Sequence, residues 1–141
     1  MRPPRTILLV EDNPDDAALT EVALRGLPAD LKIARDAREA FGYLFGDTNE
    51  LPWLVVLDLR LPGVDGLEVL RRIREDERTR LLPVVILTSS MAPDDVLSGY
   101  RLGANSFVRK SGGFDEFSAQ VRQIGTYWLG LNEPPPLLRE D

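Results

Sequence analysis

Two residue types are missing from this chain of 141 residues, cysteine and histidine. Without cysteine there can be no disulfide, no zinc-thiolate site and no thiol chemistry. Without histidine there can be no Ser-His triad, no histidine metal ligand and no phosphohistidine. A phosphoryl group held covalently by this chain must therefore sit on Asp, Glu, Ser, Thr or Tyr.

Lysine is scarce, because only Lys32 and Lys110 occur among 17 basic residues. An ammonium is a compact point charge and a guanidinium is a wide fork, so the two fill different sites. The net charge is −6 and no basic stripe is visible, so no nucleic-acid partner is expected. No apolar run could cross a bilayer and no signal-peptide pattern is present, so we expect a cytoplasmic protein without a membrane partner.

Four short apolar runs each end in polar residues, at 7–10, 54–57, 84–87 and 106–108. Such runs are typical of buried parallel strands. In an open parallel sheet, functional groups gather at the carboxyl ends of the strands. The sequence therefore predicts that five side chains meet at one edge: Glu11, Asp12, Asp58, Thr88 and Lys110.

Strand and helix signals alternate five times along the chain. Strands are predicted at residues 6–10, 31–34, 53–57, 83–87 and 105–109, and Asn13, Asp36 and Asp65 are suited to cap the helices that follow. Five βα units predict an α/β fold, because a closed eight-unit barrel needs far more chain. We expect the flavodoxin-like (βα)5 three-layer sandwich, with a parallel five-stranded sheet in the order 2-1-3-4-5. That order opens a crevice beside strands one and three.

Apolar spacing predicts which face each helix buries. In the first helix the inward residues are Leu19, Val22 and Ala23. In the third helix they are Leu67, Leu70 and Ile73, with Arg71, Arg72 and Arg74 facing outward. The last helix carries one long stripe, while Tyr127 and Leu129 point elsewhere: Phe114, Phe117, Val121, Ile124, Trp128 and Leu131. The domain is predicted to span residues 1–131, and the proline-containing tail, residues 132–141, to be extended or disordered.

The acidic residues predicted at the sheet edge suit a divalent cation. One acidic residue after a strand is often a cap or a turn residue, but three at adjacent strand ends repel each other unless a cation intervenes. Mg²⁺ prefers a few carboxylates together with waters and phosphate oxygens. We expect Asp12 to hold Mg²⁺, with Glu11 acting through water.

Asp58 is then the best nucleophile, since a carboxylate can form an acyl phosphate. Lys110 would balance the remaining negative charge, and Thr88 would donate to a phosphoryl oxygen.

Taken together, these motifs resemble the receiver domain of two-component response regulators. The resemblance rests on Glu11-Asp12, the run from Asp58 to Gly66, Thr88 and Lys110, and it covers residues 5–125. It implies that Asp58 accepts a phosphoryl group from the phosphohistidine of a sensor kinase. It also implies the following Mg²⁺ ligands: Glu11, Asp12, Asp58 and the backbone carbonyl of Arg60. Enzymatic activity is not expected beyond phosphorylation and dephosphorylation of the chain's own aspartate.

Two further roles follow from the same resemblance. Thr88 would be the switch hydroxyl, and Phe107, three residues before Lys110, would be the switch aromatic. The alternative for Phe107 is a core residue of its strand. The helix after Asn13 would carry part of the kinase-docking surface through Ala17, Ala18, Thr20 and Glu21.

The chain departs from the family after the lysine, where Ser111 stands in place of the usual proline.

Signalling would run through protein contacts, with a homodimer formed either by the extended last helix or by the face of helix four, strand five and helix five. Trp128 either serves such an interface or packs on its own core. Lys110-Ser111 and Tyr127-Trp128-Leu129 also resemble the small response regulators paired with bacterial phytochromes, which suggests a phytochrome kinase as the partner.

Three alternative functions can be compared with the same residues. A scaffold with a silent acceptor site would bind partners regardless of Asp58. A phosphatase of the haloacid dehalogenase pattern needs a second acid two residues after the nucleophile, where this chain has Arg60. A flavin-binding loop should be rich in glycine and hydroxyl groups, yet residues 11–16 are acidic and would repel a phosphate.

Overall fold

Five parallel strands form one sheet in the computed structural model, which describes residues 5–46 and 50–136. The strands are β1 (Arg5–Val10), β2 (Ala29–Ala34), β3 (Leu54–Leu57), β4 (Val84–Thr88) and β5 (Ser106–Arg109). The helices are α1 (Pro14–Ala23), α2 (Ala37–Phe45), α3 (Gly66–Glu75), α4 (Pro93–Arg101) and α5 (Phe114–Thr126), and α5 runs into a π-helical turn, Tyr127–Leu131. The strand order is β2-β1-β3-β4-β5, so the predicted flavodoxin-like fold is confirmed.

Alternate side chains of the strands pack into two separate hydrophobic cores, one on each face of the sheet. Leu8 and Val10 face the cluster that contains residues of α2 and α3. Ile7 and Leu9 face the opposite cluster, which contains residues of α1 and α5. Because successive strand residues point to opposite faces, a continuous apolar run such as β1 is buried on both sides, as the sequence predicted. None of the described helices is long and apolar enough to span a membrane.

The predicted caps start three helices. Asn13 Oδ1 accepts hydrogen bonds from the backbone N–H groups of Asp15 and Asp16, at 2.8 and 3.1 Å. Asp36 and Asp65 each accept one from the N–H three residues further on. These bonds satisfy donors that a helix start would leave unpaired. α1 and α2 begin shortly after β1 and β2, whereas residues 58–65 separate α3 from the end of β3.

The predicted faces of α1 were wrong in part. Val22 is 48% exposed, whereas Ala17 and Thr20, predicted to be part of an outward-facing kinase-docking surface, are buried. A methyl group added to Gly125 of α5 would lie 2.8 Å from the Leu24 side chain, so the two helices approach closely. Close packing favours the small residues of α1 over its larger apolar ones, and apolar spacing alone does not show this.

Arg74 was also predicted to face outward, but it is half-buried beside the starts of β4 and β5. Its guanidinium donates to four acceptors: Gly103 O, Arg80 O, Leu82 O and Asn105 Oδ1. Asn105 Oδ1 in turn accepts from Val84 N at 2.8 Å. A single side chain therefore ties α3 to the loops that lead into two strands.

The end of α5 differs from the predicted stripe. Leu129, assigned elsewhere, is buried, while Leu131 is 77% exposed and Phe114, at the other end of the helix, is 63% exposed. The π-helical turn explains the change after Thr126, because i→i+5 bonding fits an extra residue into each turn and rotates the following side chains. Phe114 is the first residue of the helix and overhangs the core. Trp128 is half-buried, and residues 137–141 of the predicted tail lie outside the described residues.

Candidate functional site

Carboxylates end two neighbouring strands at one edge of the sheet. Glu11 follows β1 and Asp58 follows β3, and they are 3% and 4% exposed. Sheet hydrogen bonding continues past both strand ends, because Glu11 N donates to Ala34 O at 2.8 Å and Asp58 N donates to Val10 O at 3.0 Å. One carboxylate oxygen each from Glu11, exposed Asp12 and Asp58 lies within 4.8 Å of the other two. The three predicted carboxylates therefore meet.

Lys110 reaches the same cluster from the end of β5. Its backbone N–H donates to Thr88 O at 2.8 Å, which extends the pairing of β4 and β5. Its ammonium donates to Glu11 Oε1 at 2.7 Å, Asp16 Oδ2 at 2.8 Å and Asp58 Oδ2 at 3.0 Å. An ammonium has three N–H donors, so each donor has one carboxylate acceptor.

Asp16 is a site residue that the sequence did not reveal. It lies in the first turn of α1, four residues after Asp12, and its side chain is 27% exposed. One feature of the sequence could have indicated it: α1 is predicted to start shortly after β1, so its first turn lies beside the carboxylates that follow β1. The rotation of α1 about its axis decides that Asp16, and not Asp15, reaches Lys110.

Burial and opposite charges shift two pKa values in this cluster. Burial raises the pKa of Glu11 to about 7, helped by the Asp58 charge and opposed by the hydrogen bond from Lys110. Burial also disfavours the charged form of Lys110, but its bonds to Asp16 and Glu11, with the charge of Asp58, outweigh this and raise the pKa of the ammonium. Lys110 is therefore a permanent cation facing an excess of acidic groups.

The two oxygens of Asp58 have different partners. Oδ2 accepts from Lys110, and Oδ1 accepts from the backbone N–H of Arg60 at 3.1 Å. Beneath them, a methyl group added to Gly66 would lie 2.2 Å from Asp58 O and 2.7 Å from the Leu59 Cα. A glycine is required at position 66 because the start of α3 lies against the Asp58 backbone. The sequence motif contains this glycine but does not show the reason for it.

Thr88 and Phe107 lie on one face of the sheet beside the cluster. Thr88 is fully buried at the end of β4, and its Oγ1 accepts from Ser90 N at 3.4 Å. Phe107 pairs with Ile86 in the register of β4 and β5. It is half-buried, and a methyl group added to Gly99 of α4 would lie 3.2 Å from its ring. Thr88 thus borders the site, and Phe107 packs under α4 instead of joining the carboxylates.

Sequence comparisons agree with this geometry. A family model described as the response regulator receiver domain matches residues 7–122. The probable methanogenesis regulatory protein FilR2 of Methanothrix harundinacea is 42% identical over 137 residues, covering 94% of this chain and 88% of FilR2. Response regulator Rcp1 of Synechocystis is 37% identical over 133 residues, covering 90% of each chain.

Solved structures give the same result. The Mn²⁺-bound form of Rcp1 matches with a TM-score of 0.89 at 35% identity, over 94% of this chain and 99% of Rcp1. The phosphorylated cyanobacterial phytochrome response regulator RcpA matches with a TM-score of 0.89 at 36% identity, over 94% of this chain and 99% of RcpA. The fold, the acidic cluster with its lysine, and the matched length together establish that the chain belongs to the response regulator receiver domain family.

Proposed function

We propose that this chain accepts a phosphoryl group on Asp58 from the phosphohistidine of a sensor histidine kinase. The position of Asp58 carries the proposal, because its Oδ2 is 3.0 Å from Lys110 Nζ and its carboxylate adjoins those of Glu11 and Asp12. One Asp58 oxygen forms the bond to phosphorus while the P–N bond of the phosphohistidine breaks, and the imidazole nitrogen keeps the electron pair. Gain and loss of this group is the only chemistry that we assign to the chain.

Mg²⁺ is the cation that we assign to the acidic cluster. Glu11, Asp12 and Asp58 would hold it, together with the backbone carbonyl of Arg60. Oxygen donors suit a hard divalent ion, and the surplus of carboxylates over ammonium leaves negative charge for the ion to neutralise. When bound, it would offset the repulsion between an anionic donor and an anionic acceptor. Lys110 supplies a second positive charge, already directed at Asp58.

Thr88 and Phe107 form the proposed switch. A phosphoryl group on Asp58 would accept a hydrogen bond from the Thr88 hydroxyl and draw it toward the site. The movement of Thr88 leaves room for Phe107 to turn inward along the same face of the sheet. Because Phe107 packs against α4, its rotation would shift a pre-existing equilibrium of α4, β5 and α5.

The output is proposed to be a change in protein contacts of a receiver unit that spans residues 1–131, followed by a tail at 132–141. Two surfaces of the described residues expose the large apolar side chains that a homodimer would cover. One is the face of α4, β5 and α5, with Leu97, Tyr100 and Phe114, and the other is the C-terminal turn, with Tyr127 and Leu131.

The kinase partner is proposed to be a bacterial phytochrome. The support is the similarity to RcpA, which is itself a phytochrome response regulator. The net charge of −6 supports the absence of a nucleic-acid partner. We also propose that the protein acts in the cytoplasm, without a membrane partner.

Phosphorylation with acetyl phosphate tests the proposal. Intact mass should rise by one phosphoryl group in the presence of Mg²⁺, and the rise should disappear in EDTA and in Asp58→Asn. Asp15→Asn is the matched control, because Asp15 is an exposed aspartate of α1 outside the cluster, and it should be phosphorylated normally. If folded wild-type protein gains no phosphoryl group with Mg²⁺, the proposal is wrong and the scaffold function is favoured.

A further inference from the structure

A glutamine of α5 holds the backbone on both sides of Lys110. Ser111 N donates to Gln120 Oε1 at 2.9 Å, and Gln120 Nε2 donates to Arg109 O at 2.9 Å. The partners fix the orientation of the amide, because only its oxygen can accept from an N–H and only its nitrogen can donate to a carbonyl. Gln120 does not touch the ammonium, yet it restrains the residues from which that side chain extends.

Glu116 adds a second contact to the same loop. Ser111 Oγ donates to Glu116 Oε1 at 3.0 Å and accepts from Gly113 N at 3.3 Å. Glu116 and Gln120 are four residues apart, so they share one face of α5. A proline after Lys110 would lack both the N–H and the hydroxyl that these side chains bind. Ser111 therefore makes this attachment to α5 possible.

The position of the Lys110 ammonium depends on where its backbone is held. A lysine has a flexible four-carbon stem and a point charge, so its conformational freedom is large until its backbone is fixed. The ammonium must nevertheless reach carboxylates that come from β1, α1 and β3. A displacement of residues 109–111 would move Nζ away from Asp58 Oδ2.

We propose that Gln120 is a positioning residue that keeps Lys110 aimed at Asp58. The proposal rests on the function assigned above, because the aim of Lys110 matters when Asp58 receives a phosphoryl group. It also makes α5, which carries the C-terminal turn, part of the support of the site. Replacement of Gln120 should slow the reaction although it removes none of the four carboxylates and leaves Lys110 in the chain.

The first experiment compares Gln120→Ala with Gln123→Ala, a change of the same residue type at an exposed position of α5. At saturating Mg²⁺, Gln120→Ala should slow phosphorylation by acetyl phosphate about tenfold, since misplaced reacting groups lose rate steeply. Mg²⁺ affinity is measured alongside, because Lys110 also contacts Glu11 and Asp58, and the rates are compared only where Mg²⁺ saturates each variant. Gln123→Ala should match the wild type in both measurements. An equal rate for the two variants would overturn the proposal.

A double-mutant cycle separates positioning from a general structural effect. If Gln120 acts through Lys110, then Gln120→Ala should cause no further loss of rate in a Lys110→Ala background. A second tenfold loss in that background would overturn the proposal. Gln120→Glu provides a variant of nearly the same shape, which keeps an acceptor for Ser111 N and loses the donor to Arg109 O. It should slow the reaction in the same direction.

Lysine NMR tests the proposal without any phosphorylation. The chain has only two lysines, so ¹³Cε-labelled lysine gives one signal for Lys110 and one for exposed Lys32 as an internal reference. Gln120→Ala should shift or broaden the Lys110 signal and leave the Lys32 signal unchanged. An unchanged Lys110 signal would overturn the proposal. If the wild type gains no phosphoryl group, the proposed function fails, while this measurement still decides whether Gln120 positions Lys110.

Discussion

The two edges of the sheet handle charge in opposite ways. At the carboxyl edge, four carboxylates and one ammonium lie together: Glu11, Asp12, Asp16, Asp58 and Lys110. At the amino edge, two guanidiniums have neutral partners. Arg5 donates to the Leu129 carbonyl and lies 4.3 Å from the centre of the Trp53 ring. Arg74 donates to three backbone carbonyls and to the Asn105 amide oxygen. These arginines are satisfied by neutral groups, whereas the described residues of the carboxyl edge keep a negative excess. The edge at which we propose phosphorylation is therefore the one whose charge the described side chains do not balance among themselves.

Lys110→Ala should have the largest effect, because it removes the one ammonium found in the acidic cluster. Its removal leaves buried carboxylates without their cation, so the free energy of unfolding should fall by about 3 kcal/mol in metal-free buffer. Mg²⁺ should restore much of this loss. Urea unfolding with and without Mg²⁺ measures both effects. Lys32→Ala is the control, because Lys32 is exposed and its contact to Asp30 is 3.8 Å. Equal stability of Lys110→Ala and wild type without Mg²⁺ would contradict the prediction.

Gly66→Ala should be the next largest change. The added methyl group would overlap Asp58 O and Leu59 Cα, and the backbone must move, which should cost about 2 kcal/mol of unfolding free energy. Gly42→Ala in α2 is a matched control, since its methyl group would meet no atom within 4 Å. It should stabilise the protein by about 0.5 kcal/mol. Thermal unfolding checks both, and a neutral Gly66→Ala would refute the close approach.

Acidity should affect only the carboxyl edge. Burial raises the pKa of Glu11 to about 7, so this group is mostly protonated below that pH and mostly a carboxylate above it. Mg²⁺ binds the carboxylate, and its affinity should therefore rise about tenfold from pH 6 to pH 8 and then level off. Isothermal titration at several pH values measures this. Glu11→Gln should flatten the profile, and a flat wild-type profile would count against Glu11 as a ligand.

Arg5→Ala should have the smallest effect, confined to the amino edge. It removes the hydrogen bond to the Leu129 carbonyl and the contact with Trp53, worth about 1 kcal/mol together. The rate of phosphorylation by acetyl phosphate should stay at the wild-type value. Arg38→Ala, which changes an exposed arginine of α2, is the control for stability. A slower reaction in Arg5→Ala would show that the two edges are not independent.

The sequence predicted the strands and the residues at their ends for one physical reason. A buried parallel strand is apolar along its whole length, so the first polar residue marks the carboxyl edge. The same rule locates Glu11, Asp58 and Lys110 at that edge from the sequence alone. Asp16 was missed because its position depends on the rotation of α1, which buries Ala17 and Thr20 and exposes Val22, against the apolar spacing.

The end of α5 could not be predicted for a different reason. A period of 3.6 residues assumes unbroken α-helical hydrogen bonding, and the π-helical turn replaces it after Thr126. As a result Leu129 is buried and Leu131 is exposed, the reverse of the predicted stripe. Gln120 escaped notice because its two partners are backbone groups of the β5–α5 loop, and such contacts leave no pattern in the sequence.

The Arg74 network carries a consequence for how this chain can evolve. The guanidinium reaches four acceptors at once, and a lysine, with three donors at a single point, could not serve them all. Gly103 has a φ of 102°, and a methyl group there would lie 3.0 Å from Arg74 Nε. Homologous sequences should therefore keep or change positions 74, 103 and 105 together, and this covariation would be visible in an alignment even where the carboxyl edge is invariant.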